Sequence, residues 1–185
     1  MPIRRVFFDI DGVLARFTCG ALAVHGRPEH SGQWRTWDFP HTWGIGERAF
    51  YAPMGREFWS SLGRWEDGFA LLRYCETAIG AHRIALLTTP APTEGCVDGK
   101  RDWVAAHLPE YLPRLILGWS KELLAHECAL LVDDSDANVN RFRYCDGHAW
   151  TVPRPWNHNR GRVGSDGTFN VLTETRRIEQ ALNTK

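Results

Sequence analysis

Three short apolar runs in this chain break off abruptly at polar residues, and that pattern constrains the fold more than any other feature. Ile3 to Phe8 runs into Asp9, Arg83 to Leu87 into Thr88, and Ala129 to Val132 into Asp133 and Asp134. Runs of this length, rich in β-branched and aliphatic residues, read as buried strands. Arg114 to Leu117 and Ala149 to Val152 read as two more. Segments with helical period separate them. Glu66 to Ile79 places Phe69, Leu72, Cys75 and Ile79 on one stripe, and Gly80 supplies a C-terminal stop. Asp98 to Leu108, Ser120 to His126 with Ser120 as N-cap, Ala137 to Tyr144 with Ser135 or Asp136 as cap, and Thr173 to Leu182 read as further helices. Strands alternating with helices predict an α/β fold, a Rossmann-like three-layer core around a mainly parallel sheet. Ligands of open α/β sheets bind outside the carboxyl ends of the strands. Asp9, Thr88 and Asp133-Asp134 are therefore expected to converge at one edge.

Thr18 to Trp65 is irregular, rich in Gly, Pro, Trp and His, with turn signals at Arg27-Pro28, Phe39-Pro40 and Ala52-Pro53. It reads as a small helical cap, 18–65, inserted after the first strand of a core formed by 1–17 and 66–185. Trp156 to Gly167 reads as a surface loop, with a flexible loop beside the site as the alternative.

Composition excludes more than it assigns. A chain of 185 residues suits one domain with a small insertion. Lys+Arg and Asp+Glu are equal at 22 each, so nothing in the net charge favours long nucleic acid or an anionic membrane. The five cysteines are scattered, without a C-x-x-C pair, which reads as reduced thiols in a cytoplasmic protein. The N-terminal apolar run is short and interrupted by Asp9 and Asp11, unlike a signal peptide, and no stretch approaches the ~18 apolar residues of a membrane span.

The strand ends carry the chemistry. In Phe7-Phe8-Asp9-Ile10-Asp11-Gly12-Val13, two carboxylates sit one residue apart ahead of a glycine that permits a sharp turn. An exposed acidic turn is the bland reading. The chemical one makes Asp9 a nucleophile on phosphorus and Asp11 the acid, then base, for leaving group and water. Thr88 and Thr89 offer hydroxyls to a phosphoryl group, although strands often end in threonine. Lys121 offers fixed positive charge, although a helix-start lysine is usually solvated; Lys100 competes for that role. Asp133 and Asp134, adjacent after an apolar strand, repel unless paired or metal-bound, and magnesium is the cation such oxygens suit. A helix N-cap in Asp134-Ser135-Asp136 is the structural alternative and coexists with metal binding.

Taken in order, these motifs resemble those of the haloacid dehalogenase superfamily of phosphotransferases, over Phe7 to about Val152. A closer resemblance is to the 5'(3')-deoxyribonucleotidases, carried by Asp9 to Phe17, Glu57-Phe58-Trp59, Thr88-Thr89-Pro90, Lys100 to Val104, Leu131 to Asp134 and Pro153-Arg154-Pro155-Trp156-Asn157. The resemblance implies a magnesium-dependent hydrolase of (deoxy)nucleoside monophosphates. Asp9 and Asp134 side chains and the Asp11 carbonyl would bind the metal, Asp133 would orient water or Lys121, and Thr88, Thr89 and Lys121 would hold phosphate. Phe17 and Trp37 would line the base site. The expected partner is a small phosphate ester, without membrane or long nucleic acid, and a homodimer is an open assembly state. Where the family has Thr-Ser-Pro this chain has Thr88-Thr89-Pro90, and the cap departs most. A phosphatase for another small ester, or for 3'-phosphate ends of nucleic acid, is the alternative; a non-catalytic binding protein on the same fold is the alternative of another class.

Overall fold

The computed structural model describes residues 2–27 and 39–182. Five strands form one sheet: β1 (Arg5–Phe8), β2 (Ile84–Thr88), β3 (Leu115–Leu117), β4 (Ala129–Asp133) and β5 (His148–Thr151). Their order is β3-β2-β1-β4-β5, and every pairing is parallel. The chain thus builds outward from β1 through β2 to β3, then returns to the other side of β1 for β4 and β5. The reversal lies between β1 and β4, the position at which such sheets open a crevice.

Parallel strands are covered on both faces, so their residues are apolar throughout and alternate only in which layer they enter. Val6, Phe8, Ile84, Leu86, Leu130 and Val132 join one core, together with Leu71, Leu72 and Cys75 of α5 (Glu66–Ile79), Trp103 and Val104 of α6 (Cys96–His107), and Ile178 and Leu182 of α8 (Val171–Leu182). Phe7, Leu87, Ala129, Leu131 and Ala149 join the other, against Val139 and Phe142 of α7 (Asp136–Tyr144). The expected three layers are present, and the sheet is wholly rather than mainly parallel.

Among the described residues, four short helices lie between β1 and α5: α1 (Phe17–Val24), α2 (Phe39–Thr42), α3 (Glu47–Tyr51) and α4 (Arg56–Ser60). Aromatic residues fill the space between them. Phe17 stacks on Trp59 with ring centroids 5.3 Å apart and an interplanar angle of 5°, and meets Phe50 and Phe58 edge-on. This cluster is continuous with the first core, and Phe17, Glu47, Tyr51 and Trp59 of these helices line the same cleft as Asp9 at the end of β1.

One local reading needs correction. Ser120 caps nothing; Lys121–Leu124 is a single 3-10 turn that starts with its lysine buried. The tight turn is the geometry that points the Lys121 side chain inward. Of the two candidate caps for α7, Ser135 takes the role, its side chain accepting the Asn138 N–H.

Candidate active site

The floor of the crevice is built by the ends of β1 and β4. The Asp9 N–H donates to Val132 O at 2.9 Å, so sheet hydrogen bonding continues one residue past the strand and fixes the carboxylate's origin. Asp9 Oδ1 accepts the Ile10 N–H at 2.8 Å and lies 2.8 Å from Lys121 Nζ. Lys121 Nζ also donates to Asp133 Oδ2 at 2.7 Å. Asp133 is saturated: the Ser135 N–H and the Asn138 amide donate to Oδ1, and Asn138 and Lys121 to Oδ2. Burial opposes the charge on Lys121, but Asp133 and Asp9 outweigh it and hold the ammonium above its usual range. Burial pushes Asp9 up from 3.8 to about 7; Lys121 works against this, and Asp133 and Asp11 add to it. One cation thus faces a group of carboxylates too large for it to neutralise.

Asp134 is the carboxylate left over. It is fully buried, and burial first, then Asp133 and Asp9, drive its proton affinity well above the ordinary range. Trp156 Nε1 donates to Asp134 Oδ2 at 2.5 Å, and the Asn157 amide donates to the Asp134 carbonyl at 2.9 Å. Asp134 Oδ1 is buried with no hydrogen-bond partner. Gly12 gives this carboxylate its room. At φ +75° Gly12 has the left-handed backbone that glycine favours, and a Cβ there would lie 2.2 Å from Asp134 Oδ2.

Arg154 fastens these pieces together. Its guanidinium donates to Gly12 O at 2.6 Å, Val13 O at 3.2 Å and Gly167 O at 3.3 Å, and pairs with both oxygens of Asp67 at 2.7 and 3.0 Å. Arg154 and Asp67 are both buried. The surface-loop reading of Trp156 to Gly167 is therefore corrected at its start: Trp156 and Asn157 are buried against Asp134. A polar-rich stretch reads as loop by composition, and only the fold reveals that its hydrogen bonds go inward.

Asp11 and the end of β2 form the second half. Lys100, fully buried on α6, donates to Asp11 Oδ2 in a short ion pair, to Thr88 Oγ1 at 2.8 Å and to Thr89 O at 2.8 Å. Lys100 and Lys121 are thus not rivals. Each serves one of the two first-motif carboxylates, Lys100 for Asp11 and Lys121 for Asp9. Thr88 is fully buried and reaches the site through Lys100. Asp11 Oδ1 is buried without a partner.

A cleft of about 430 Å³ opens above this floor, lined by Asp9, Asp11, Thr89, Lys121, Ser135 and Asn138 below. Phe17, Tyr51, Trp59, Pro90, Ala91 and Pro92 supply apolar wall, and Glu47 and Trp119 the remainder. Phe17 lines the cleft; Trp37 lies outside the described residues.

No protein-family model matches the chain, and no curated protein matches it in sequence. Solved structures do. A haloacid dehalogenase-like family hydrolase from Xanthomonas campestris superposes with a TM-score of 0.58 at 13% identity, covering 98% of this chain and 96% of that one. The L-2-haloacid dehalogenase from Xanthobacter autotrophicus gives 0.55 at 16% identity, covering 95% and 88%. This is the haloacid dehalogenase fold. A haloacid dehalogenase-like family protein from Streptococcus pneumoniae, at a TM-score of 0.52 and 14% identity over 80% of this chain and 84% of that one, shares it too.

Within this fold the carboxylates suit a hard divalent cation. Asp9, Asp133 and Asp134 each present an oxygen within 4.8 Å of the others. Asp133 is consumed by Lys121, Ser135 and Asn138, whereas Asp134 keeps Oδ1 buried and unpartnered. A desolvated carboxylate oxygen with no donor is costly unless something positive meets it. Asp9 and Asp134 are the pair whose chemistry fits magnesium, and no helix of the described residues is long and apolar enough to cross a membrane.

Proposed function

We propose that this protein is a magnesium-dependent phosphomonoesterase acting through an aspartyl-phosphate, with (deoxy)nucleoside monophosphates as its substrate class. The observation that carries the reading is the division of labour at the crevice: two carboxylates two residues apart, each held by its own buried lysine, beside an orphaned Asp134 oxygen.

Magnesium, held by the Asp9 and Asp134 carboxylates and the Asp11 carbonyl, would neutralise charge on the phosphoryl oxygens. Lys121 fixes the nucleophilic oxygen of Asp9 and, with Thr89, offsets the negative charge of the incoming phosphate. Asp9 forms the new P–O bond as the ester P–O bond breaks. Asp11, on the cleft floor and held in place by Lys100, gives its proton to the departing oxygen. Water then attacks the aspartyl-phosphate, Asp11 takes its proton, and inorganic phosphate leaves with Asp9 restored. The second carboxylate supports phosphatase chemistry over dehalogenation, which has no leaving oxygen to protonate. The aromatic wall of Phe17, Tyr51 and Trp59 supports a planar leaving group over a sugar.

The test is phosphate release from ribo- and deoxyribonucleoside 5'- and 3'-monophosphates, sugar phosphates and a 3'-phosphorylated oligonucleotide. Turnover confined to mononucleotides, abolished by chelator and by Asp9→Asn, is the expected result. Full turnover by Asp9→Asn with magnesium present refutes the mechanism. Magnesium-dependent turnover of other esters alone refutes the substrate class.

A further inference from the structure

Resting on the phosphomonoesterase reading, we infer that the outer cleft selects the leaving group by charge. It takes an ester whose single phosphate is joined to a planar, uncharged body and rejects one bearing a second phosphate, with Glu47 and Trp119 as the specificity-determining residues.

Among the described residues, positive charge in the cleft lining is confined to its floor, at Lys121, where the reacting phosphate would sit. Above it the wall is apolar: Phe17, Trp59, Pro90, Ala91 and Pro92. The ionisable group of the outer lining is a carboxylate, Glu47, in the first turn of α3. Glu47 has no ion pair among the described residues, so its charge is not spent within the protein. Tyr51, four residues on and hence on the same helix face, lines the same cleft as Glu47 and Asp11. Burial, with Asp11 and Glu47 adding to it, pushes its phenol up to about 12, so it stays an O–H donor. A second phosphate on the leaving group would meet like charge here and find no cation among the described lining residues, whereas ring N–H groups would find an acceptor in Glu47.

Trp119 supplies the face. It lines the cleft although 72% exposed, two residues before Lys121. Exposing a large indole in water is unfavourable unless a ligand covers it, and a planar ring stacked there recovers that surface. The same charge pattern disfavours terminal phosphates of nucleic acid, because the neighbouring backbone phosphate would occupy the position of the second anion.

The experiment compares kcat/KM for a deoxynucleoside 5'-monophosphate, its 3',5'-bisphosphate and a small aliphatic phosphomonoester, with magnesium, in wild type, Glu47→Gln and Trp119→Ala. Wild type should favour the monophosphate over the bisphosphate, and Glu47→Gln should shrink that preference by about tenfold, the scale of one like-charge contact in a partly wet cleft. Trp119→Ala should raise KM for the nucleotide several-fold more than for the aliphatic ester, and Trp119→Phe should restore most of it. An unchanged mono-to-bisphosphate ratio in Glu47→Gln, or a wild-type preference for the bisphosphate, overturns the inference while leaving the phosphatase reading intact. No turnover of any of the three esters, the aliphatic one included, overturns both.

Discussion

At the scale of single residues, the site is governed by which carboxylate oxygens have partners. Asp133 has all of its hydrogen-bonding capacity used, and Asp134 has one oxygen bonded and one bare. Gly12 makes that arrangement possible, so Gly12→Ala should abolish activity and magnesium binding together, because a Cβ cannot coexist with Asp134 Oδ2 at 2.2 Å. Calorimetric titration of the metal-free variant with magnesium checks it, and wild-type affinity would contradict the account. The lysines should fail differently. Lys121→Ala strands Asp9 and Asp133 in a buried setting, so it should cost several kcal/mol of stability as well as activity, on the scale of ~3–5 kcal/mol for a broken buried ion pair. Denaturant titration measures the first loss and a phosphatase assay the second.

At the scale of elements, the segment after β5 acts on the turn after β1. Arg154 grips the carbonyls of Gly12 and Val13 while binding Asp67 at the start of α5, and Trp156 orients Asp134. Replacing Trp156 by Phe keeps the ring and removes the N–H. The expected outcome is a ~10–100-fold loss of magnesium affinity, the usual effect of removing a hydrogen bond from behind a metal ligand, with the melting temperature little changed. Equal affinity in Trp156→Phe would show that packing alone sets the Asp134 rotamer. This element also marks where sequence reading stopped. Strand ends at Asp9, Thr88 and Asp133 were legible because, although each has an ordinary structural use, their order along the chain and their shared placement at the carboxyl ends of strands have few. The Lys100 partnership was half legible, visible as a charge in the right segment but not as a bond to Asp11. Arg154 and Trp156 were not legible as site residues, because a hydrogen bond spanning 142 positions leaves no local pattern. Ser120 misled because a serine before a charged residue fits an N-cap and a loop equally well.

At the scale of the whole molecule, the crevice is a destabilising concentration of like charge held in place by two hydrophobic layers. Asp9 is raised from 3.8 to about 7, and Asp134 is also raised. A carboxylate whose folded pKa exceeds its unfolded value binds extra protons when folded, so its stabilising contribution is present at low pH and lost as pH rises through the folded value. The metal-free protein should therefore become less stable as pH rises above about 4, the contribution of Asp9 being lost by about pH 7 and that of Asp134 falling in the same direction, and magnesium should reverse the loss, raising the melting temperature more at about pH 8 than at about pH 5. Melting curves with chelator and with magnesium at both pH values test this, and a magnesium effect larger at the lower pH would contradict it. The inserted helices depend on the aromatic cluster, and Trp59→Ala should cost ~3–5 kcal/mol by emptying its centre.

The Arg154 bridge also has a bearing on synthesis. A ribosome releases Asp9, Asp11 and Gly12 long before Arg154, Trp156 and Gly167 exist, and the turn after β1 has no grip on its carbonyls until those residues emerge. A nascent chain that has already made β1, β2 and β4 carries every candidate reacting group yet lacks the guanidinium that holds the turn after Asp11 and the indole that holds Asp134. Competence to bind a cation is thus tied to synthesis reaching the segment after β5, so stalled fragments ending before Arg154 should be poor at sequestering metal or attacking phosphate esters.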